Sequence, residues 1–147
     1  MSNVLLDTNI LIRYFRKTPG YNDLLHQARS MGWTYISAIT RLEIVRGMRD
    51  RERIRTFDLL DACETLPIDA QIADQAGELI RSWRARGETI GDADALIAAT
   101  ARQHNLALLT TNPRHFPMPG LAIYQADETG RMSPWLPPKN ASTLPLP

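Results

Sequence analysis

The sequence has one cysteine, three histidines, almost no charge excess and no long apolar run. A lone Cys63 allows no intramolecular disulfide and excludes zinc sites built on cysteine pairs. His26, His104 and His115 lie far apart and lack the spacing of helical metal ligands. No segment approaches the roughly 18–20 apolar residues that a membrane span requires. Lys and Arg total 17 and Asp and Glu 16, a net charge of +1. That balance excludes a polybasic or acidic tail, but not charges separated onto two faces. The segment Met1–Asp7 has no basic leader and soon meets a carboxylate, so it reads as no secretory signal and the chain as cytoplasmic. With 147 residues and 44% hydrophobic content, the chain has the length of one domain and is not disordered throughout.

What is present is an alternation of short apolar runs with helical stripes. Val4-Leu5-Leu6 predicts a buried strand that stops at Asp7, and Ile10–Arg16 a short helix. Leu24, Leu25, Ala28 and Met31 form the next helical stripe, closed by Gly32. Trp33–Ile36 predicts a strand, and Ser37 an N-cap for a helix running to Gly47. A charged helix spans Asp50–Cys63. Thr65–Ile68 reads as an edge strand because Pro67 lacks an N–H. Asp69 caps a long helix ended by Gly87, and Ala93–His104 forms another. Leu106–Thr110 and Leu121–Tyr124 are the last strands. This alternation predicts an α/β domain with a mostly parallel sheet. After Asp127 the periodicity is lost and Pro134, Pro137, Pro138, Pro145 and Pro147 accumulate. Residues 127–147 read as an irregular or disordered tail behind a domain over 1–126.

In parallel α/β sheets, ligands bind beyond the C-terminal strand ends. Asp7 and Asn9 follow the first strand there. Ser37 follows the second, with Glu43 further along its helix. Thr110, Thr111 and Asn112 follow the fourth, and Asp92 and Asp94 open the helix leading into it. Each has a plain structural reading as well. Asp7 can cap a helix, Glu43 can pair with Arg46 at i, i+3, and first-turn aspartates suit the helix dipole. The joint occurrence at one rim favours a site. Three acids crowded together repel one another unless a cation compensates them, and an all-oxygen set suits Mg²⁺ or Mn²⁺.

Leu5-Leu6-Asp7-Thr8-Asn9-Ile10-Leu11, Ile36-Ser37 with Glu43, Asp94-Ala95-Leu96-Ile97-Ala98-Ala99, and Leu109-Thr110-Thr111-Asn112 with Phe116 together resemble the PIN domain. More closely, the chain is similar to VapC-type toxins of type II toxin–antitoxin modules, including FitB-like members. The resemblance covers about residues 3–126. It implies a PIN-like three-layer α/β/α sandwich with a mostly parallel five-stranded sheet, and a Mg²⁺- or Mn²⁺-dependent endoribonuclease acting on RNA phosphodiesters. It also implies a homodimer and inhibition by a cognate VapB-like antitoxin. Asp7 matches the family's first acid, Glu43 its second and Asp94 its third. Asp92 is then either a cap or an auxiliary ligand. Thr8, Asn9 and Thr110 match polar positions that orient acids or water. Many relatives carry a fourth acid after the fourth strand. Here Asn112 takes the nearest polar position, and His115 stands where some relatives have an acid.

Arg41, Arg46, Arg49, Arg51, Arg53 and Arg55 offer phosphate contacts, although interleaved Asp50 and Glu52 equally suit a solvated helix. Trp33, Tyr35 and Tyr14 are candidates for base stacking or for core packing. A dehalogenase-like phosphatase would require an aspartate at Asn9, and a dinucleotide-binding fold a glycine-rich loop after the first strand. The alternative that stays open is a PIN-like module that binds RNA or a partner without cutting.

Overall fold

The computed structural model describes residues 3–136. The chain alternates β1 (Val4–Leu6), α1 (Thr8–Phe15), α2 (Tyr21–Met31), β2 (Thr34–Ser37) and α3 (Ala38–Gly47). There follow α4 (Arg53–Ala62), β3 (Glu64–Leu66), α5 (Ala70–Arg84), α6 (Asp92–Gln103), β4 (Ala107–Thr110), β5 (Ile123–Ala126) and β6 (Met132–Pro134). The sheet order is β3-β2-β1-β4-β5-β6. The first five are parallel, as expected. β3 is an edge strand and ends before Pro67, whose missing N–H ends the ladder there.

Strand alternation sorts the core into two layers. Val4 and Leu6 pack with Ile10, Leu11, Leu24, Ile36, Leu60 and Leu109 beneath α1, α2 and α4. Leu5 and Leu108 face the other way, onto Ile72, Leu79 and Trp83 of α5 and Ile97 and Ala98 of α6. β1 and β4 are buried on both faces, which is why they read as unbroken apolar runs. Each fully buried Leu or Ile contributes roughly 1.5–3 kcal/mol. The caps follow the sequence closely: Ser37 accepts from the Ile39 N–H at 3.2 Å, and Asp69 from the Ile72 N–H at 2.8 Å. Asn105 takes a left-handed φ of 52° after α6.

The segment from residue 127, expected to be irregular, behaves differently. Residues 127–131 make a tight turn, and β6 pairs antiparallel with β5, Gln125 opposite Ser133. The Trp135 N–H donates to the Ile123 carbonyl at 2.8 Å. Pro134 at the outer edge hid this strand, because an edge position needs fewer N–H donors. The remainder of the expected tail, residues 137–147, lies outside the described residues.

The turn is clasped to the start of α2. Tyr21 Oη donates to the Asp127 carbonyl at 2.8 Å. Gly20 and Gly130 meet backbone to backbone, with φ of 91° and 78°. A Cβ on Gly20 would collide with the Thr129 carbonyl oxygen. Gly20→Ala should therefore destabilise the chain by about 2 kcal/mol or more. Gly77 lies exposed in α5 with open space around its Cα. Gly77→Ala should stabilise by about 0.5–1 kcal/mol. Urea unfolding followed by circular dichroism checks both signs.

Candidate active site

β1 lies between β2 and β4. The sheet is built outward in opposite directions from that pair, so a crevice opens beyond their C-terminal ends. Asp7 is the first residue past β1. Its N–H extends the ladder by donating to the Leu109 carbonyl at 2.9 Å. Its Oδ1 caps α1 by accepting from the Thr8 N–H at 2.8 Å. Its Oδ2 accepts from Thr110 Oγ1 at 2.7 Å, across the crevice. The residue is only 5% exposed. Burial is the main force pushing its carboxyl up to about 6, and the charges of Asp94 and Glu43 push the same way. The two hydrogen bonds oppose that rise.

Glu43 enters the same space from α3. Its Oε1 accepts from Thr8 Oγ1 at 2.7 Å, and Thr8 Oγ1 lies 2.9 Å from Thr40 Oγ1. A hydroxyl has one proton, and Thr8 gives its proton to Glu43. Thr40 must therefore donate to Thr8. Arg46 stands 3.8 Å from the other Glu43 oxygen, the i, i+3 relation expected from the sequence. Asp94, in the first turn of α6, is half-buried. Burial raises its pKa and so does Glu43, while His115 lowers it. His115 Nδ1 lies 3.6 Å from Asp94 Oδ2.

The structure thus brings Asp7, Glu43 and Asp94 within electrostatic reach of one another, with Thr110 holding the first. Asn9 sits half-buried in the first turn of α1. Asp92 is directed elsewhere: it is exposed and lines a groove with Asp74, Arg81 and Arg84 of α5. Asn112 donates its backbone N–H to Thr110 Oγ1 at 3.0 Å, while its side chain lines a neighbouring groove. Thr40 was missed by sequence reading. Its place one turn before Glu43 on α3 was the available signal. Two exposed arginines lie over rings: Arg53 over Phe57 at 5.1 Å, and Arg55 over Phe15 at 5.4 Å and Tyr14 at 5.7 Å.

Among the described residues, no three His, Cys, Asp or Glu side chains are gathered tightly enough to hold an ion as they stand. The donor chemistry nevertheless fits a hard divalent cation. All three acids offer oxygen, and their charges oppose one another. Among the described residues, Arg46 pairs with Glu43 and His115 lies beside Asp94, while no ion pair reaches Asp7, the most buried of the three carboxylates.

Asp7 gives a signed pH dependence. Its ordinary value of 3.8 rises to about 6 in the fold. Between those values the folded chain binds more protons at Asp7 than the unfolded chain, so its contribution worsens as pH rises and stays unfavourable above 6. The gap corresponds to roughly 2–3 kcal/mol. Asn at this position keeps an acceptor for the Thr8 N–H. In EDTA, Asp7→Asn should exceed the parent chain in stability at pH 7, and the difference should shrink towards pH 4. Denaturant melts at the two pH values check this; a constant difference would contradict it.

Residues 4–118 match the family described as the PIN domain. Ribonuclease VapC10 of Mycobacterium tuberculosis is 38% identical over 115 residues, covering 78% of this chain and 86% of the relative. Ribonuclease VapC1 of Methanocaldococcus jannaschii is 33% identical over 116 residues, with 78% and 79% covered. Among solved structures, VapBC2 from Rickettsia felis bound to a promoter DNA fragment superposes with a TM-score of 0.72 at 26% identity, covering 82% of this chain and 96% of that one. The family match spans most of the chain and the relatives are more than 30% identical, and the chain belongs to the PIN domain family.

Proposed function

We propose that the chain is a divalent-metal-dependent endoribonuclease and the toxin of a VapBC-like toxin–antitoxin module. The observation that carries this reading is the convergence of Asp7, Glu43 and Asp94 at the point where the sheet's winding reverses. The relatives' names as ribonucleases support the reaction class, and the VapBC2 neighbour supports a VapB-like partner. Mg²⁺ or Mn²⁺ would be held by these three acids, and when bound such an ion activates water and offsets charge on the phosphate.

The chain's own groups set up that chemistry. Thr110 and the Thr8 N–H fix both oxygens of Asp7, so the carboxylate is oriented before any ligand arrives. The Thr40–Thr8 relay does the same for one oxygen of Glu43. His115 stands beside Asp94 at the open side, where a phosphate would approach. Asn9 and Asn112 are polar neighbours in auxiliary roles, and Asp92 acts at the helix start rather than on the ion. The nuclease unit expected over residues 1–126 then extends through β6. Exposed Leu42 and Ile54 on α3 and α4 suit a protein partner, either the antitoxin or a second copy in a homodimer. Among the described residues no helix is long and apolar enough to cross a membrane.

Purified chain should cut single-stranded RNA in Mn²⁺ at least as well as in Mg²⁺, and EDTA should abolish cutting. Asp94→Asn should lower the rate by on the order of 100-fold or more, and Asp92→Asn by less than about threefold. Initial rates on a labelled RNA, with Mn²⁺ titrated calorimetrically, check both. RNA that is bound but never cut would favour the non-cleaving module.

A further inference from the structure

Beside the acids lies a second feature, a groove of about 560 Å³. That volume falls within the range of roughly 300–1,000 Å³ usual for small-ligand sites. Arg13, Thr111, Asn112, Gln125, Asp127 and Glu128 line it. It adjoins the active site through two strands. Gln125 is the register partner of Thr110, whose hydroxyl holds Asp7. Asn112 bonds to that same hydroxyl.

The groove's walls are braced. Arg13 stacks over Tyr21, 5.6 Å from the ring centroid, while Tyr21 Oη holds the Asp127 carbonyl. Asp127 Oδ1 accepts from the Thr129 N–H, the Thr129 hydroxyl and the Arg131 N–H, each at 2.9 Å. One oxygen of Asp127 thus holds the turn together. Thr111 Oγ1 is buried with no hydrogen-bond partner among the described residues, so its desolvation is uncompensated there.

Charge chooses the kind of ligand. The lining holds one guanidinium and two carboxylates, a balance that disfavours a phosphate. A neutral group with strong donors on one edge and acceptors on another suits it better. Single-stranded RNA offers such groups as splayed bases. Guanine is the base that presents two acceptors, O6 and N7, beside two neighbouring donors, N1–H and N2–H₂. An arginine fork matches the former and a carboxylate the latter. We propose that this groove binds a guanine flanking the scissile phosphate, with Arg13 on its O6/N7 edge and Glu128 on its N1/N2 edge. The Asn112 and Gln125 amides complete the contacts. The proposal rests on the ribonuclease reading for its substrate, and its test is separable from that reading.

The trinucleotides UGU and UAU, titrated in EDTA into ¹⁵N-labelled chain, report binding without cleavage. UGU should bind at least fivefold tighter than UAU and move the amide signals of Thr111, Gln125 and Glu128. Glu128→Gln, an exposed turn substitution, should remove most of that preference. Arg13→Met should do likewise, and Gln71→Ala on the distant α5 should keep it. Equal affinities for the two trinucleotides, or a preference untouched by both groove variants, would overturn the proposal. In a second arm, cleavage of a randomised RNA pool in Mn²⁺ should enrich guanine roughly tenfold at one position beside the cut. Cleavage without base bias would also overturn the groove assignment. An uncut pool would count against the ribonuclease reading, while the trinucleotide titration still decides the groove.

Discussion

The buried carboxylate of Asp7 is the constraint around which the site is built. It sits where β1 ends, and it joins three elements at once: the ladder to β4 through its N–H, the start of α1 through Oδ1, and Thr110 through Oδ2. An isolated buried charge is expensive, and two hydrogen bonds offset only part of its desolvation. The remainder appears as a raised pKa, increased further by Asp94 and Glu43. The fold therefore stores electrostatic strain at one rim. A cation bound there would relieve that strain, so the rim's attraction for a cation and its cost to the fold would have the same origin.

The rest of the architecture keeps this arrangement rigid. The two central strands are buried on both faces, which leaves Asp7 and Thr110 little freedom to separate. α3 brings Glu43 in because Ser37 starts the helix at the end of β2. Thr40 and Thr8 then tie that helix to α1 in a chain of hydroxyls whose donor direction is fixed by Glu43. On the far side, α5 and α6 complete the sandwich around Trp83 and Leu108. They also carry Asp94 to the rim while turning Asp92 away, although the two residues are only two positions apart. Successive helical positions differ by about 100°, so a two-residue step faces nearly the opposite side.

Much of this was legible in the residues. Apolar runs marked β1 and β4, Ser37 and Asp69 marked helix starts, and Asn105 marked a helix end, because each is a local signal with a local cause. The three acids were legible jointly, through strand-end placement and resemblance to a family. The distinction between Asp94 and Asp92 came from the following Ala-Leu-Ile-Ala-Ala run, and the structure separates them for a helical reason. β6 was not legible. It is three residues long, contains proline and gains its stability from pairing with β5, a tertiary partner that no local pattern announces. Thr40 was overlooked for a related reason. A buried threonine on an apolar helix face looks like core until its partner on another helix is known.

The β5–β6 turn shapes the groove beside the acids. Without β6, residues 127–131 would have no anchor beyond the Tyr21 hydroxyl. With it, the turn is held at both ends and pressed against Gly20, where only glycine permits the approach. The wall beside the three acids is therefore pre-organised, and a ligand placed there would lose less freedom on binding. The two regions divide the work by charge. The acid rim gathers three carboxylates, an oxygen set that would suit a metal ion together with a phosphate. The adjoining wall pairs Arg13 with Asp127 and Glu128, which suits a neutral, hydrogen-bonding group. A nuclease that selects its cutting site needs both kinds of surface close together, and Thr110 links them through one hydroxyl that bonds Asp7 on one side and Asn112 on the other.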